Sequence, residues 1–271
     1  MSRAQGFLRD LAEQVYAVDN RAIPRRGAVS SVTDLGELAV RLGSIVTFDR
    51  RGDVYWLDGF EEGISKWDTV SVGIGGGVAL SASYARNGLY SCELTAGQFM
   101  THYAEISRNF PYPTLSRWGF ECHWSFDSDL DTLDVLVSVY DGTNLTTGKL
   151  RYDYGNQRLQ YWDSDGAWQN LATSVDLEPG YGIFNACKLV LDLEEAEYER
   201  VIVNESEYDM EGVALQQGAS AVSPGVKLGV RNTGDGSHNN VVYVDDVIIT
   251  QNELGRSRTY ARTLALVGSG S

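Results

Sequence analysis

The ten residues RWGFECHWSF, Arg117 to Phe126, alternate strictly between charged, polar or small side chains and bulkier apolar ones. Because successive side chains of a β-strand point to opposite faces of the sheet, this alternation predicts a strand with one buried face. Three later runs repeat the period of two: LDVLVSVY at 133–140, KLVLDL at 188–193 and VKLGV at 226–230. The members of the first run expected in a core are Phe120, Cys122, Trp124 and Phe126.

Turn signals separate these runs, including Asn87-Gly88, Asp141-Gly142 and Asp165-Gly166. The composition agrees with many short strands, because the chain has 29 glycines and only 5 prolines. Roughly a dozen strands at this spacing are typical of a two-sheet antiparallel sandwich of the jelly-roll type. The sequence therefore predicts a mostly β protein, with the sandwich over residues 53–250.

Residues 1–52 follow a different pattern and predict an N-terminal arm with two short helices. Ser2 with Gln5, and later Asp34 with Glu37, are spaced as helix capping pairs. An isolated short helix has nothing local to cover its apolar stripe, so the stripe packs either on the β domain or on another chain. The arm residues predicted to make assembly contacts are Leu8, Leu11 and Val15 of the first helix and Arg21, Arg25 and Arg26 of the linker.

Residues 251–271 do not continue the sandwich pattern and predict an extended C-terminal arm. Leu264, Leu266 and Val267 in this segment predict one more strand, and the assembly residues expected here are Tyr260, Leu264 and Leu266. That strand would pair with a sheet edge of this chain or of a neighbouring subunit.

The net charge of −15 is unevenly distributed along the chain. Residues 53–250 contain 11 basic and 30 acidic residues, a balance of −19, whereas each terminal segment is slightly basic. Such an acidic body repels a phosphate backbone, so no nucleic-acid partner is expected. The sequence also lacks a signal-peptide pattern and any apolar run of about 18 residues, so we expect synthesis in the cytoplasm and no membrane partner.

Two segments carry a resemblance to known families. The segment starting at Leu57 contains Phe60, Glu61, Gly63 and Trp67, and the later segment contains Tyr243, Asp245, Asp246 and Val247. This pattern resembles the first and last strands of jelly-roll carbohydrate-binding modules and of concanavalin- or laminin-G-like sandwiches. The resemblance covers about two hundred residues, and its motifs mark the fold more than the ligand.

In those families a structural calcium ion commonly lies where the first and last strands meet. The resemblance therefore implies a possible Ca²⁺ site at Glu61 and Asp245, with Asp246 taking the second position if a bulge exchanges the two aspartates. An aspartate on the core face of a strand also needs a cation or hydrogen-bond donors. The alternative is that the aspartate pair caps a turn or binds backbone amides.

A second candidate site is aromatic. The hairpin RYDYGNQRLQYWDSDGAWQN, residues 151–170, contains five aromatic side chains close to aspartate and asparagine. Exposed aromatic rings beside polar groups can stack on sugars, but aromatic residues are also favoured cross-strand pairs in any sheet. The residues predicted for a glycan platform are Tyr161, Trp162 and Trp168.

Catalytic motifs are absent from the sequence. The glycine run at 73–77 lacks the Lys-Ser/Thr of a phosphate loop, and none of the 3 histidines adjoins a nucleophile motif. The 3 cysteines form no metal-binding or disulfide pattern. We therefore expect a protein that is not an enzyme and has no catalytic residues.

The order of helix, basic linker, helix, acidic sandwich and C-terminal arm resembles bacteriophage virion proteins. That resemblance implies a structural protein of the virion, most naturally a capsid decoration (auxiliary) protein, or else a tail or neck component. It would be anchored through its arms to other virion proteins and to itself as a homo-oligomer. The alternative is a glycan-binding module or adhesin domain that uses the aromatic platform.

Overall fold

The computed structural model describes residue 49 and residues 51–255, and this part of the chain contains strands and no helix. The strands are β1 (Asp53–Asp58), β2 (Asp68–Val72), β3 (Gly77–Ser81), β4 (Ser91–Thr95), β5 (Tyr103–Phe110), β6 (Arg117–Phe126), β7 (Thr132–Tyr140), β8 (Asn144–Asp153), β9 (Arg158–Trp162), β10 (Trp168–Thr173), β11 (Asn185–Asp192), β12 (Glu197–Val203), β13 (Ser206–Ala214), β14 (Gln216–Ala219), β15 (Gly225–Thr233) and β16 (Val241–Gln251).

The strands form two antiparallel sheets that pack as a sandwich. Sheet A has the order β13-β12-β11-β6-β16-β4-β3, with β1 also paired to β16. Sheet B has the order β10-β9-β8-β7-β15-β5-β2, with β14 also paired to β8. The predicted mostly β, two-sheet antiparallel sandwich is therefore confirmed.

The core lies between the sheets and is built from the alternating positions of the sequence. In β6, the side chains of Phe120, Cys122, Trp124 and Phe126 are all buried. In β7 the alternate positions from Leu133 onward are buried in the same way. Burying a side chain of this size contributes about 1.5–3 kcal/mol, so the alternation accounts for much of the stability of the sandwich.

Four charged side chains form a buried network on the outer face of sheet A, and we call this set the charge cluster. Its members are Asp49, Lys188, Arg200 and Glu253. The Lys188 ammonium lies 2.6 Å from the Glu253 carboxylate and 3.2 Å from that of Asp49. Arg200 also pairs with Glu253 and donates to the carbonyl of Leu254. The cluster therefore ties both ends of the described chain to one face.

Gly119 of β6 makes room for the charge cluster. A β-carbon at this position would lie 2.7 Å from Lys188 Cε and 2.8 Å from Glu253 Oε1. Only glycine leaves space for the two side chains to meet above the strand. The glycine in the otherwise bulky RWGFECHWSF run thus has a packing reason.

The predicted helices and arms lie outside the described residues. This applies to every arm residue predicted for assembly, namely Leu8, Leu11, Val15, Arg21, Arg25, Arg26, Tyr260, Leu264 and Leu266. The described part of the chain has no helix with the length and hydropathy needed to cross a bilayer.

Candidate functional site

Two tryptophan side chains lie next to each other on the outer face of sheet B. Trp162 ends β9 and Trp168 begins β10, and the two residues are direct cross-strand partners. Their ring centroids are 5.0 Å apart at an interplanar angle of 71°. Both side chains are half-buried. The outer face of sheet B, including this pair, is called the tryptophan face below.

The turn that joins the two tryptophans is fixed by its own sequence. The Asp163 carboxylate accepts N–H bonds from Asp165 at 3.0 Å and from Ala167 at 2.8 Å. Gly166 adopts a φ of +79°, a conformation that favours glycine. These local bonds set the register of the hairpin and therefore bring the two indoles together.

The three residues predicted for the glycan platform divide between the two faces of the sheet. Tyr161 packs against the core with its ring 5.7 Å from that of Tyr198, whereas Trp162 points outward. The Trp162 indole N–H donates to Gln216 Oε1 at 2.7 Å, which holds the ring in place. The structure thus brings Trp162 and Trp168 together and places Tyr161 on the opposite face.

Two cationic side chains of the neighbouring strand β8 lie over the indole rings. Lys149 Nζ is 4.0 Å from the centroid of the Trp162 ring, and Arg151 Cζ is 4.1 Å from that of Trp168. Both distances are within the range of a cation–π interaction. Each indole is therefore paired with one positive charge.

A row of polar side chains continues from the tryptophans across the sheet. Arg151 donates two hydrogen bonds to Asp134, at 2.6 and 2.8 Å. Arg231 donates to Glu105 at 2.8 Å, and Gln160 donates to Asn170 at 3.2 Å. The strand registers align these residues in the order Glu105, Arg231, Asp134, Arg151, Gln160 and Asn170.

Sequence reasoning missed this polar row, although its signal is visible in the alternation. The positions that alternate with the buried residues of β7, β8 and β15 include Asp134, Arg151 and Arg231. Asp134 and Glu105 are each only 3% exposed, so the face is not an ordinary solvated surface. Buried carboxylates require partners, and the arginines supply them.

Lys149 differs from the other cations of the tryptophan face. Burial, reinforced by the nearby charges of Arg231 and Arg151, lowers the pKa of its ammonium, while the charge of Asp134 acts in the opposite direction. Among the residues that the structure describes, none forms a salt bridge with Lys149. Burial is the main cause of this shift, and an anion placed beside Lys149 would oppose it by favouring the charged ammonium.

The aspartates proposed for calcium bind a loop of the protein instead. Asp245 accepts the backbone N–H groups of Arg86 and Asn87 at 2.8 and 3.2 Å. Asp246 accepts the Arg86 guanidinium at 2.6 Å and the Asn87 amide at 2.5 Å. Asp246 has a φ of +46° at a bulge in β16, the irregularity that allows both carboxylates to reach the same loop.

Glu61 binds the next part of the same loop, where it accepts the backbone N–H groups of Leu89 and Tyr90 at 2.8 and 3.0 Å. Within residues 49 and 51–255 there is no group of three His, Cys, Asp or Glu side chains placed to hold a metal ion. Calcium takes 6–8 oxygen ligands, whereas these carboxylates accept N–H donors and Arg86 supplies the positive charge. The arrangement of Glu61, Asp245 and Asp246 therefore does not fit a calcium site.

A serine, a histidine and an aspartate also meet in the loop before β16. The Asp235 carboxylate is 2.6 Å from Ser237 Oγ and 2.9 Å from His238 Nδ1. However, Ser237 Oγ also contacts Nδ1 of His238, at 2.9 Å. A catalytic relay uses one ring nitrogen for the serine and the other for the aspartate, so these three residues stabilise a turn and do not form such a relay.

His123 of β6 gives the molecule a testable pH dependence. Burial and the charge of Arg86 lower the pKa of His123 to about 3, although the carbonyl of Asp246 opposes the shift. Below pH 6.5 the unfolded chain binds a proton that the folded chain does not, so this residue lowers stability as the pH falls. Burial and the charge of Asp246 raise the pKa of Asp245 to about 6. Between about pH 6 and 4 the folded chain therefore binds a proton that the unfolded chain does not, so Asp245 increases stability as the pH falls through this range.

We therefore expect His123→Gln to change the pH dependence of unfolding. Between pH 7 and pH 5 the wild type should lose about 2 kcal/mol relative to the variant, because only the wild type has the buried imidazole. Urea unfolding of both proteins at the two pH values measures this difference. Parallel stability curves for the two proteins would contradict the assignment.

The described residues define a class of protein by fold: a two-sheet antiparallel β-sandwich with a polar and aromatic outer face. No protein-family model matches the chain, and no curated protein matches its sequence. Several hundred solved chains match its structure. The two structures described below share 11% and 12% sequence identity with this chain, so the likeness is one of fold alone.

Two of these structures are carbohydrate-active enzymes by name. The carbohydrate esterase of the Shiga toxin-encoding bacteriophage phi24B aligns with a TM-score of 0.53 and 11% identity, over 74% of this chain and 100% of that one. The endo-β-1,4-glucuronan lyase of the fungus Trichoderma reesei aligns with a TM-score of 0.50 and 12% identity, over 73% and 95%. These likenesses support the sandwich fold, while the absence of enzyme activity stays a prediction.

Proposed function

We propose that this chain is a glycan-binding β-sandwich domain and that its ligand packs on the tryptophan face. The observation that carries the proposal is the pair of adjacent, half-buried indoles of Trp162 and Trp168 on the outside of a sheet. The apolar C–H face of a pyranose packs on an aromatic ring, and its hydroxyls need polar partners nearby.

The residues around the indoles supply these polar partners. Gln160 and Asn170 are direct cross-strand neighbours two pairs further along the hairpin, the next pair on the same face, and together they offer amide donors and acceptors. Arg151 and Asp134 form a rigid charged pair beside them. Fixed amide and charged groups next to aromatic rings are the combination that small polar ligands require for orientation.

The test is a glycan array followed by calorimetry of the wild type and Trp162→Ala with any glycan that binds. We expect the substitution to weaken binding about tenfold or more, because it removes a ring face of the platform. Phe99→Ala is the matched control, since Phe99 is an exposed aromatic side chain (61%) in a different loop. Its affinity should equal that of the wild type.

An array on which no glycan binds, or binding that survives in Trp162→Ala, would refute the proposed function. Circular dichroism of both variants shows whether each one keeps the fold. A folded Trp162→Ala protein without binding supports the proposal.

The virion role stays a prediction from the sequence. Its arguments depend on the order of helices, basic linker, sandwich and C-terminal arm in the sequence, and the residues of both arms lie outside the described part of the chain. Attachment to other virion proteins, assembly as a homo-oligomer and localisation in the virion are compatible with a glycan-binding sandwich. None of them is needed for it.

A further inference from the structure

The basic residues of the sandwich are concentrated on the tryptophan face. Residues 53–250 contain only 11 lysines and arginines against 30 acidic residues. Five of the 11 point outward from sheet B: Lys149, Arg151, Arg158, Lys227 and Arg231. The face thus carries positive charge in a domain that is otherwise strongly acidic.

Most of these cations have a carboxylate partner within the face. Arg151 pairs with Asp134, Arg158 pairs with Asp153, and both Lys227 and Arg231 pair with Glu105. Asp68 of β2 also points outward from sheet B, where it accepts a hydrogen bond from Asn109. The five cations on the strands of this face therefore exceed its four carboxylates by one charge, and Lys149 is the cation that has no salt bridge among the described residues.

The surplus charge lies beside the aromatic platform. Lys149 Nζ is 4.0 Å from the Trp162 ring centroid, and the Arg151 guanidinium is next to it on the same strand. Because Lys149 and Arg151 already lie over the two rings, a sugar would contact the part of the indoles that they leave open, and its ring substituents would lie close to Lys149. A negatively charged substituent would gain a charge-assisted hydrogen bond there, whereas a neutral substituent would leave the ammonium without a direct salt bridge.

We propose that the ligand of the tryptophan face is an acidic glycan, whose carboxylate or sulfate group is bound by Lys149. This inference depends on the proposed function, because it names the ligand class of the same site. It also explains why an acidic domain maintains a positive face, since the local field attracts an anionic polymer that the rest of the surface repels.

The experiment uses matched pairs of probes that differ only in charge. One pair is an oligogalacturonate hexamer and its fully methyl-esterified, neutral counterpart, and the other is a carrageenan-derived hexasaccharide, whose only charges are sulfates, and its desulfated, neutral counterpart. We expect the full chain to bind at least one charged member about tenfold or more tightly than its neutral counterpart at low salt. Preference within the first pair identifies a carboxylate, and preference within the second identifies a sulfate.

Three variants link any preference to Lys149. Lys149→Met should lose the preference for the charged member about tenfold, and Lys149→Arg should retain most of it. Lys66→Met is the control, because Lys66 is a partly exposed lysine that pairs with Glu62 and Asp58 away from this face. It should bind as the wild type does.

The outcomes separate the two proposals. Equal, Trp162-dependent binding of charged and neutral members would overturn the acidic ligand and leave glycan binding intact. A charge preference that persists in Lys149→Met would overturn the role of Lys149. Failure of all four probes overturns the acidic-glycan inference, and failure of every glycan on the array as well overturns the proposed function.

Discussion

Replacing Glu253 with alanine should lower the free energy of unfolding by about 3–5 kcal/mol, because it removes one partner of a buried charge network. Glu253 is fully buried, and so is Lys188, whose ammonium lies 2.6 Å away. Arg200 also loses an ion pair in this variant. Asp49 would remain beside the two buried cations. Burial raises the pKa of its carboxyl, but the charge of Lys188 and the hydrogen bonds and charge of Arg51 together hold that pKa below its usual value.

Glu207→Ala is the matched control for this prediction. Glu207 pairs with Arg51 at 2.8 Å, but both side chains are roughly one-third exposed, so its loss should cost less than about 1 kcal/mol. Denaturant unfolding of the two variants beside the wild type measures the contrast. Similar losses for both would mean that the charge cluster does not hold the chain ends to sheet A.

Replacing Asp58 with alanine is expected to have the second large effect, a loss of about 2–4 kcal/mol. The Asp58 carboxylate accepts the indole N–H of Trp67 at 2.9 Å and the backbone N–H of Phe60 at 3.2 Å. Both donors are buried, so alanine leaves them without a partner. Phe60 also has a φ of +59°, a conformation that is unusual for phenylalanine and is held by this bond.

Asp68→Ala provides the comparison for Asp58, since Asp68 accepts a hydrogen bond from Asn109 on the exposed surface. It should change stability by less than about 0.5 kcal/mol. Near-ultraviolet circular dichroism reports on the packing of Trp67 in the same samples. An Asp58→Ala protein as stable as Asp68→Ala would show that the turn after β1 does not depend on this carboxylate.

The sandwich could be predicted from the sequence because alternation is a local property. The run from Arg117 to Phe126 became β6 with the expected face buried, and the Asp165-Gly166 turn became the hairpin between β9 and β10. The alternation did not predict that Glu121, His123 and Ser125 on the other face of β6 are buried as well. The order of strands within the sheets is a property of long-range pairing. No local pattern placed β15 between β7 and β5.

The candidate site was predictable only in part for the same reason. Adjacent residues of a strand point to opposite faces of the sheet, so the alternation assigns Tyr161 and Trp162 to different faces. The predicted glycan platform grouped the two residues because both are aromatic, and that criterion does not distinguish the faces. Lys149 and Arg151 were not predicted, because their contact with the indoles depends on the pairing of β8 with β9.

Charge partners far apart in the sequence were the least predictable feature. Arg231 and Glu105 are 126 positions apart and meet only because β15 pairs with β5. The charge cluster likewise joins residues from both ends of the described chain.

The motif at Glu61, Asp245 and Asp246 placed these three residues near one another, and in the structure they lie around the same loop. The calcium ion that the motif implies depends on which groups face the carboxylates. These groups are N–H donors of residues 86–90, and the sequence pattern does not reveal them.

The most direct test of glycan binding at the tryptophan face is a titration followed through the indole N–H signals in proton–nitrogen correlation spectra. The chain has 6 tryptophans, and Trp162→Phe and Trp168→Phe assign the two signals of interest. With a glycan that the array identifies, we expect the signals of Trp162 and Trp168 to shift with a common dissociation constant, while those of the buried Trp118 and Trp124 stay in place. Saturable binding that leaves both platform signals unmoved would contradict the account.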